Sequence, residues 1–233
     1  YLFNSIYRKI YEYGLKKSIY FVCLSEEHIY FLKNNFYINS DLILRNVHKI
    51  PNSLYEKSDI FTIVWVANFH IKKRPSKFIE LANKLREDDI KLIMIGRPAE
   101  YKRQKKYNKD IKNLNNLKYL GFIKQKKVNK VINKSHLLIN TSDYEGFPNT
   151  FIQAWMRRVP VVSLNVDPDN VIKDNNIGYC TDGNLKKMQS KIKLLKENHG
   201  LYSKMANNAY SYALKNHSLN NIEKLIRLIE DDK

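Results

Sequence analysis

Leu137-Leu-Ile-Asn140-Thr-Ser-Asp-Tyr-Glu145-Gly-Phe-Pro-Asn-Thr150-Phe-Ile-Gln153 decides the fold. It opens in a short apolar run over 136–141, the pattern of a strand buried on both faces. A Gly-Pro turn follows, and helical spacing begins near Thr150. Similar runs lie at 60–67, 91–96, 117–121, 160–164 and 177–181. Between them come helical segments such as Phe78, Ile79, Leu81, Ala82 and Leu85. Strand alternating with helix predicts an α/β fold, a doubly wound parallel sheet over residues 60–200. Right-handed crossovers would place helices on both of its faces.

The flanks read differently. Residues 1–50 give helix, strand (19–24), helix (26–35) and strand (41–45), which cannot bury both faces of a sheet alone. They are expected to be the remnant of a second α/β domain. The pattern is already helical at Leu2, Phe3, Ile6, Tyr7 and Ile10, as in a piece of a longer protein. Pro51-Asn52-Ser53 opens a linker at 51–59. The tail from 184 to 230 has helical spacing, and residues 201–233 are expected to form C-terminal helices.

Composition narrows the function classes. The chain has 41 Lys and Arg against 23 Asp and Glu, a net charge of +18. Basic clusters stand at Lys102-Arg103-Gln104-Lys105-Lys106 and Lys124-Gln125-Lys126-Lys127. Solvated helix faces, an anionic membrane surface and nucleic acid are the three readings of such charge. Nucleic acid ranks last, because few aromatics interleave with the clusters. No apolar run is long enough to cross a membrane. Cys23 and Cys180 are far apart and without metal-ligand spacing, and both read as buried, reduced thiols of a cytoplasmic protein.

In a doubly wound sheet, ligands bind beyond the carboxyl ends of the strands. After the quoted strand, Ser142, Glu145, Gly146, Phe147, Pro148, Asn149 and Thr150 lead into a helix start, which suits an anion. Glu145 stands where a carboxylate can accept hydrogen bonds from sugar hydroxyls. Gln153 has two readings: ligand contact, or the far half of a Thr150-x-x-Gln153 capping box. After the first run, Asn68 and the cations Lys72, Lys73 and Arg74 precede Pro75, well suited to open a helix. An anionic ligand would relieve cations crowded there, and a solvated loop is the alternative. Gly96-Arg97-Pro98 and Gly121-Phe122-Ile123 follow the next runs, each glycine making either a tight turn or a close ligand approach. Asp167-Pro168-Asp169 reads as a turn rather than a metal motif. Walker A and G-x-G-x-x-G sequences, paired histidines and a nucleophile elbow are all missing.

Together these residues resemble the C-terminal, donor-binding domain of retaining GT-B glycosyltransferases, the family 4 or glycosyl transferases group 1 type. The resemblance runs from residue 60 to about 215, through Ile63-Val-Trp-Val-Ala-Asn-Phe-His-Ile-Lys-Lys73, Met94-Ile-Gly96-Arg97-Pro98, Leu117-Lys-Tyr-Leu-Gly121, Ser142–Ala154 and Pro160-Val-Val-Ser163. Residues 1–49 resemble the end of that family's N-terminal domain. The resemblance implies transfer of a sugar from a nucleotide diphosphate sugar, UDP by preference, to a hydroxyl of a glycan or lipid-linked acceptor in polysaccharide biosynthesis. It gives catalytic roles to Glu145, gripping the donor sugar, and Lys73, neutralising the β-phosphate. Gln153 would hold the ribose, and Gly121, Phe122 and Ile123 the base. Asn68, Gly96, Arg97, Ser142, Gly146, Phe147, Pro148, Asn149 and Thr150 complete the donor site. No cofactor or metal is expected.

Three positions depart from the family pattern: Gln153 replaces its second glutamate, Asn68 its usual arginine, and Arg158 a common glycine. With most of a first domain missing, this chain is expected to bind donor and to transfer little alone. A non-catalytic nucleotide-sugar-binding module is the alternative. Association with the inner membrane face is a further expectation from the charge.

Overall fold

A computed structural model describes residues 5–97 and 101–230, with side chains from 6 to 97 and from 107 to 230. Leu2, Phe3, Pro98 and the side chains of the Lys102–Lys106 cluster lie outside the described set. The chain divides into two compact units, residues 1–47 with 219–233, and residues 48–218.

The first unit holds α1 (Ser5–Lys17), β1 (Val22–Cys23), α2 (Glu26–Phe36) and β2 (Leu42–Ile43). The two strands pair in parallel, Val22 opposite Leu42 and Cys23 opposite Ile43. Ser25 caps α2 by accepting the His28 N–H at 3.3 Å. Both strands are shorter than their apolar runs suggest. Two strands cannot cover both faces, and Cys23 and Leu32 are the unit's buried apolar residues among those described.

The second unit contains β3 (Thr62–Val66), α3 (Pro75–Lys84), β4 (Lys91–Ile95), α4 (Tyr101–Lys112), β5 (Leu117–Tyr119), α5 (Gln125–Lys134), β6 (Leu137–Asn140), α6 (Asn149–Trp155), β7 (Val161–Ser163), α7 (Val171–Asp174), β8 (Gly178–Cys180), α8 (Leu185–Glu197) and α9 (His199–His217). Each of the six apolar runs from 60 onward became a strand. All are parallel, in the order β5-β4-β3-β6-β7-β8.

Alternation along the strands builds two cores. Ile63, Trp65, Leu92 and Met94 face one side with Phe78 and Leu81 of α3 and Met188 and Ile192 of α8. Val64, Leu138 and Val161 face the other with Phe151 and Trp155 of α6 and Ala209 and Ala213 of α9. The sheet is thus doubly wound, a Rossmann-like arrangement. Between α8 and α9 the helical tail breaks at Asn198, whose side chain accepts the Leu201 N–H at 2.8 Å. The terminal helix α10 (Glu223–Glu230) belongs to the first unit.

The 51–59 segment is a strap tied to the end of α5. Lys57 Nζ donates to Asn133 O at 3.0 Å and Arg157 O at 3.2 Å, and the Ser58 N–H reaches Lys134 O at 3.0 Å. Burial, then the neighbouring Arg157 charge, pushes Lys57 down to about 7. Cys23 is buried and Cys180 only half-buried, because β8 is an edge strand; both are free thiols.

Candidate functional site

Strand order reverses between β3 and β6, so the loops after these two strands leave toward opposite faces and open a crevice. The β3 loop carries Asn68 to Arg74. The β6 loop carries Thr141 to Pro148.

These loops interlock. The buried Thr141 hydroxyl donates to Lys73 O at 2.7 Å, with Arg74 O at 3.1 Å, and accepts the Trp65 indole N–H at 2.9 Å. The Asp143 N–H donates to Lys72 O at 2.8 Å, and Arg74 Nε pairs with Asp143 Oδ1 at 3.1 Å. Lys72 donates to the Tyr144 hydroxyl. Arg74 has φ +46°, a left-handed turn that a non-glycine residue adopts at some cost, and it aims the chain into Pro75 and α3.

At the centre, Lys73 Nζ donates to Glu145 Oε2 at 2.5 Å. Glu145 Oε1 accepts from Asn140 Nδ2 at 2.7 Å and Ser142 Oγ at 2.6 Å. The Asn140 amide is fixed in turn, its Oδ1 accepting the Ser142 N–H at 3.0 Å. Lys73 is 31% and Glu145 16% exposed, so the pair is screened from solvent yet reachable. Protein donors hold the carboxylate through both oxygens, a preorganised arrangement.

The remaining sequence-predicted residues divide by what they touch. Asn68 and Gly146 are exposed beside this pair in sequence. Ser142 is buried, and its hydroxyl serves Glu145. The Phe147 ring is also buried, packed on Trp155 and His217, so a ligand contact from Phe147 would come from its backbone. Pro148 precedes α6 and has no N–H to donate. Asn149 opens α6, and its Oδ1 lies 3.2 Å from His48 Nε2.

Thr150 is the second residue of α6, with Pro148 at the cap and no side-chain capping bond, so the capping box does not form. Its register is wrong by two residues. The Gln153 amide is left half-exposed and without a hydrogen-bond partner among the described residues.

Gly96 is required by the backbone: at φ +153° a Cβ there would lie 1.7 Å from Ala67 O. It therefore seals the β3–β4 junction, where the Phe69 N–H also bonds Arg97 O at 2.8 Å. Gly121 turns left-handed at φ +65° with open space around it. Its carbonyl accepts the Gly96 N–H at 3.0 Å, which joins the two glycine loops. The Arg97 guanidinium covers the Phe122 ring at 4.6 Å, both exposed, while Ile123 packs on the core. Arg158 takes φ +54°, the left-handed turn at which the resemblance expects glycine.

Asn140, Thr141 and Trp65 escaped sequence reasoning because they read as strand interior. Asn140, a polar residue closing an apolar run, was the signal that could have found one of them. Asp167 is a turn residue as expected, its carboxylate accepting the Ile172 N–H at 2.7 Å. Burial raises its pKa against that bond. A cavity of about 520 Å³ beyond β7 and β8 includes Asn165, Asp167 and Tyr179. A larger cavity, about 900 Å³, lies at the opposite edge, at the starts of β3 and β4. Size does not decide between them, because the parallel sheet directs ligands to its carboxyl edge. Among the described residues, no group of acidic, cysteine and histidine side chains could hold a metal ion.

Comparison with known proteins gives the family and the fold. The family model described as glycosyl transferases group 1 matches residues 46–212. The chain belongs to that family. Its fold matches TarM of S. aureus, crystallised with fondaparinux, alpha-GlcNAc-glycerol and UDP, at TM-score 0.81 and 23% identity over 98% of this chain and 48% of TarM. It matches Anabaena Alr3699/HepE, in complex with UDP and glucose, at TM-score 0.81 and 16% identity, covering 99% of this chain and 68% of that one. A glycosyltransferase from Rickettsia africae ESF-5 gives TM-score 0.83 and 19% identity, covering 99% and 68%. The chain thus spans about half the length of TarM. The fold is that of the GT-B glycosyltransferases. No curated protein sequence matches the chain.

Proposed function

We propose that residues 48–218 form the nucleotide-sugar site of a retaining glycosyltransferase that moves a sugar from a nucleotide diphosphate sugar to a hydroxyl of a glycan or lipid-linked acceptor. The Lys73–Glu145 pair at the switch point carries this reading. An arriving diphosphate draws the Lys73 ammonium onto its β-phosphate, where charge builds as the glycosidic bond breaks. That exchange frees Glu145 Oε2 to accept sugar hydroxyls, while Asn140 and Ser142 keep Oε1 in place. The α6 start adds its positive end to the phosphate field. With Lys73 and α6 supplying this field, the reaction needs no metal or other cofactor.

The Gln153 amide, with no hydrogen-bond partner among the described residues, is available to the ribose as donor or acceptor. Gly121, Phe122 and Ile123 line the base, and Asn68, Gly96 and Arg97 border the crevice. UDP is the proposed carrier; UDP in TarM and HepE supports it. The chain supplies the donor half and transfers little alone, acting in polysaccharide biosynthesis from the cytoplasmic side. Gln153 at the place of a family glutamate favours one second reading, a module that binds nucleotide sugar without turnover.

Calorimetric titration of the chain with UDP, GDP and ADP tests the site. UDP is expected to bind, and Lys73→Ala to weaken it. Binding that ignores Lys73 would place the nucleotide elsewhere and defeat the assignment.

A further inference from the structure

A second concave surface runs along α5 to the amino edge of the large sheet, outside the crevice between the β3 and β6 loops. One wall is α5, whose Lys126, Lys130 and Lys134 recur every fourth residue and so form one stripe. All three are exposed and have no ion-pair partner among the described residues. Like charges at that spacing destabilise a helix, so an anionic partner would relieve a standing repulsion. The other wall is the 49–60 strap, fixed to α5 by the Lys57 and Ser58 bonds and by Asn133 Nδ2 donating to Ser53 O at 3.2 Å.

Two adjoining cavities, about 900 and 410 Å³, share Tyr55 and Lys130 as lining. Together, leaving aside the buried Lys57, they gather six cations against two carboxylates, Glu56 and Asp59. Between the charges the strap exposes Ile50 (42%), Leu54 (39%), Tyr55 (39%) and Ile60 (48%). Exposed aliphatic side chains beside a lysine stripe are the combination that an anionic bilayer satisfies. The lysines meet phosphates, and the apolar groups enter the acyl boundary. Nucleic acid would ask for stacking aromatics, and the strap offers Tyr55 alone.

We propose that this strap-and-α5 face docks the protein on a bilayer rich in anionic phospholipid. The inference does not rest on the donor-site reading. The test is sedimentation of the full chain with phosphatidylglycerol vesicles and with phosphatidylcholine vesicles, at moderate salt. Binding is expected to the first and not to the second. Lys130→Glu with Lys134→Glu should lower vesicle partitioning at least about tenfold. Leu54→Asn with Ile60→Asn should lower it about threefold or more.

Lys186→Glu with Lys204→Glu, an equal charge change on the exposed faces of α8 and α9, should change it by less than about twofold. UDP affinity, measured on each variant, should stay unchanged. Equal loss in the α8–α9 control would mean that overall charge, not this face, drives binding, and the proposal would fall. It would also fall if the Leu54 and Ile60 substitutions had no effect. Tight binding of a single-stranded oligonucleotide by a chain that ignores the vesicles would overturn it in favour of nucleic acid.

Discussion

The two edges of the large sheet are both basic, and they use charge in opposite ways. At the carboxyl edge the cations of the crevice have assigned partners: Lys73 meets Glu145, Arg74 meets Asp143, Lys72 the Tyr144 ring and Arg97 the Phe122 ring. Along α5, which runs from the carboxyl edge back to the amino edge, Lys126, Lys130 and Lys134 stand in a row of like charge. The first arrangement fixes the position of a few atoms. The second sets up a field with little positional content, which salt screens readily. A net charge of +18 describes both and distinguishes neither.

The contrast is easiest to break through packing. Gly96→Ala puts a methyl 1.7 Å from Ala67 O, so the β3–β4 junction has to move. Destabilisation of roughly 3 kcal/mol or more is expected, a fall in Tm of about 6–12 °C. Lys134→Ala, at the loose edge, should stay within about 0.5 kcal/mol. Thermal unfolding of the pair checks both; equal shifts would mean the carboxyl edge is no more tightly specified than the amino edge.

Next in size is the site itself. Lys73→Ala is expected to weaken UDP binding about 10- to 100-fold, the range for a charge-assisted bond. Glu145→Gln should keep UDP within about threefold while removing any added affinity for the UDP-sugar. If Glu145→Gln weakened plain UDP as much as Lys73→Ala does, the two residues would share one role and the proposed exchange would be wrong.

The amino edge has a pH signature. Burial, then the Lys57 and His199 charges, lowers His136 to about 4, and its Nδ1 accepts the Thr62 N–H at 3.0 Å, a bond that needs the neutral ring. Above its unfolded value near 6.5, His136 is neutral in both states. As pH falls from 6.5 toward 4 the unfolded chain takes the proton and the folded one resists, so stability is lost. Solvent contact of the half-buried ring limits this to about 2 kcal/mol. The stability difference between wild type and His136→Phe should therefore shrink across that window in urea titrations. A constant difference would show that the imidazole titrates normally in the fold.

The smallest expected change is at Gln153. Gln153→Glu restores the family residue where the amide has no partner among the described residues, and a gain in UDP affinity of about threefold is expected by calorimetry. A large loss would put Gln153 against the diphosphate rather than the ribose.

Strands and their order along the chain were legible in the sequence because an apolar run has to be buried, wherever its neighbours lie. Glu145 and Lys73 were legible because strand ends of a parallel sheet are where ligands go, and few residue types there carry charge. That the two side chains meet, across 72 positions of sequence, was not. Nor was the grip of Asn140, Ser142 and Thr141, since hydrogen bonds between loops depend on strand order, and strand order is a property of the packed sheet.

Local rules misplaced what they could not see. Thr150 and Gln153 have capping-box spacing, but the buried Phe147 ring anchors the turn and α6 begins at Asn149. Gly96 looked like an opening for ligand and is a contact between strands, because only the folded sheet brings Ala67 O against it. The lysine stripe of α5 was present in the sequence as a charge cluster. Its facing strap, with Leu54, Tyr55 and Ile60 exposed beside it, took tertiary structure to assemble. By itself the sequence determined which residues must be buried and which types of chemistry were on hand. The packed sheet decided which of them meet, since burial is read one residue at a time and a site requires several at one place.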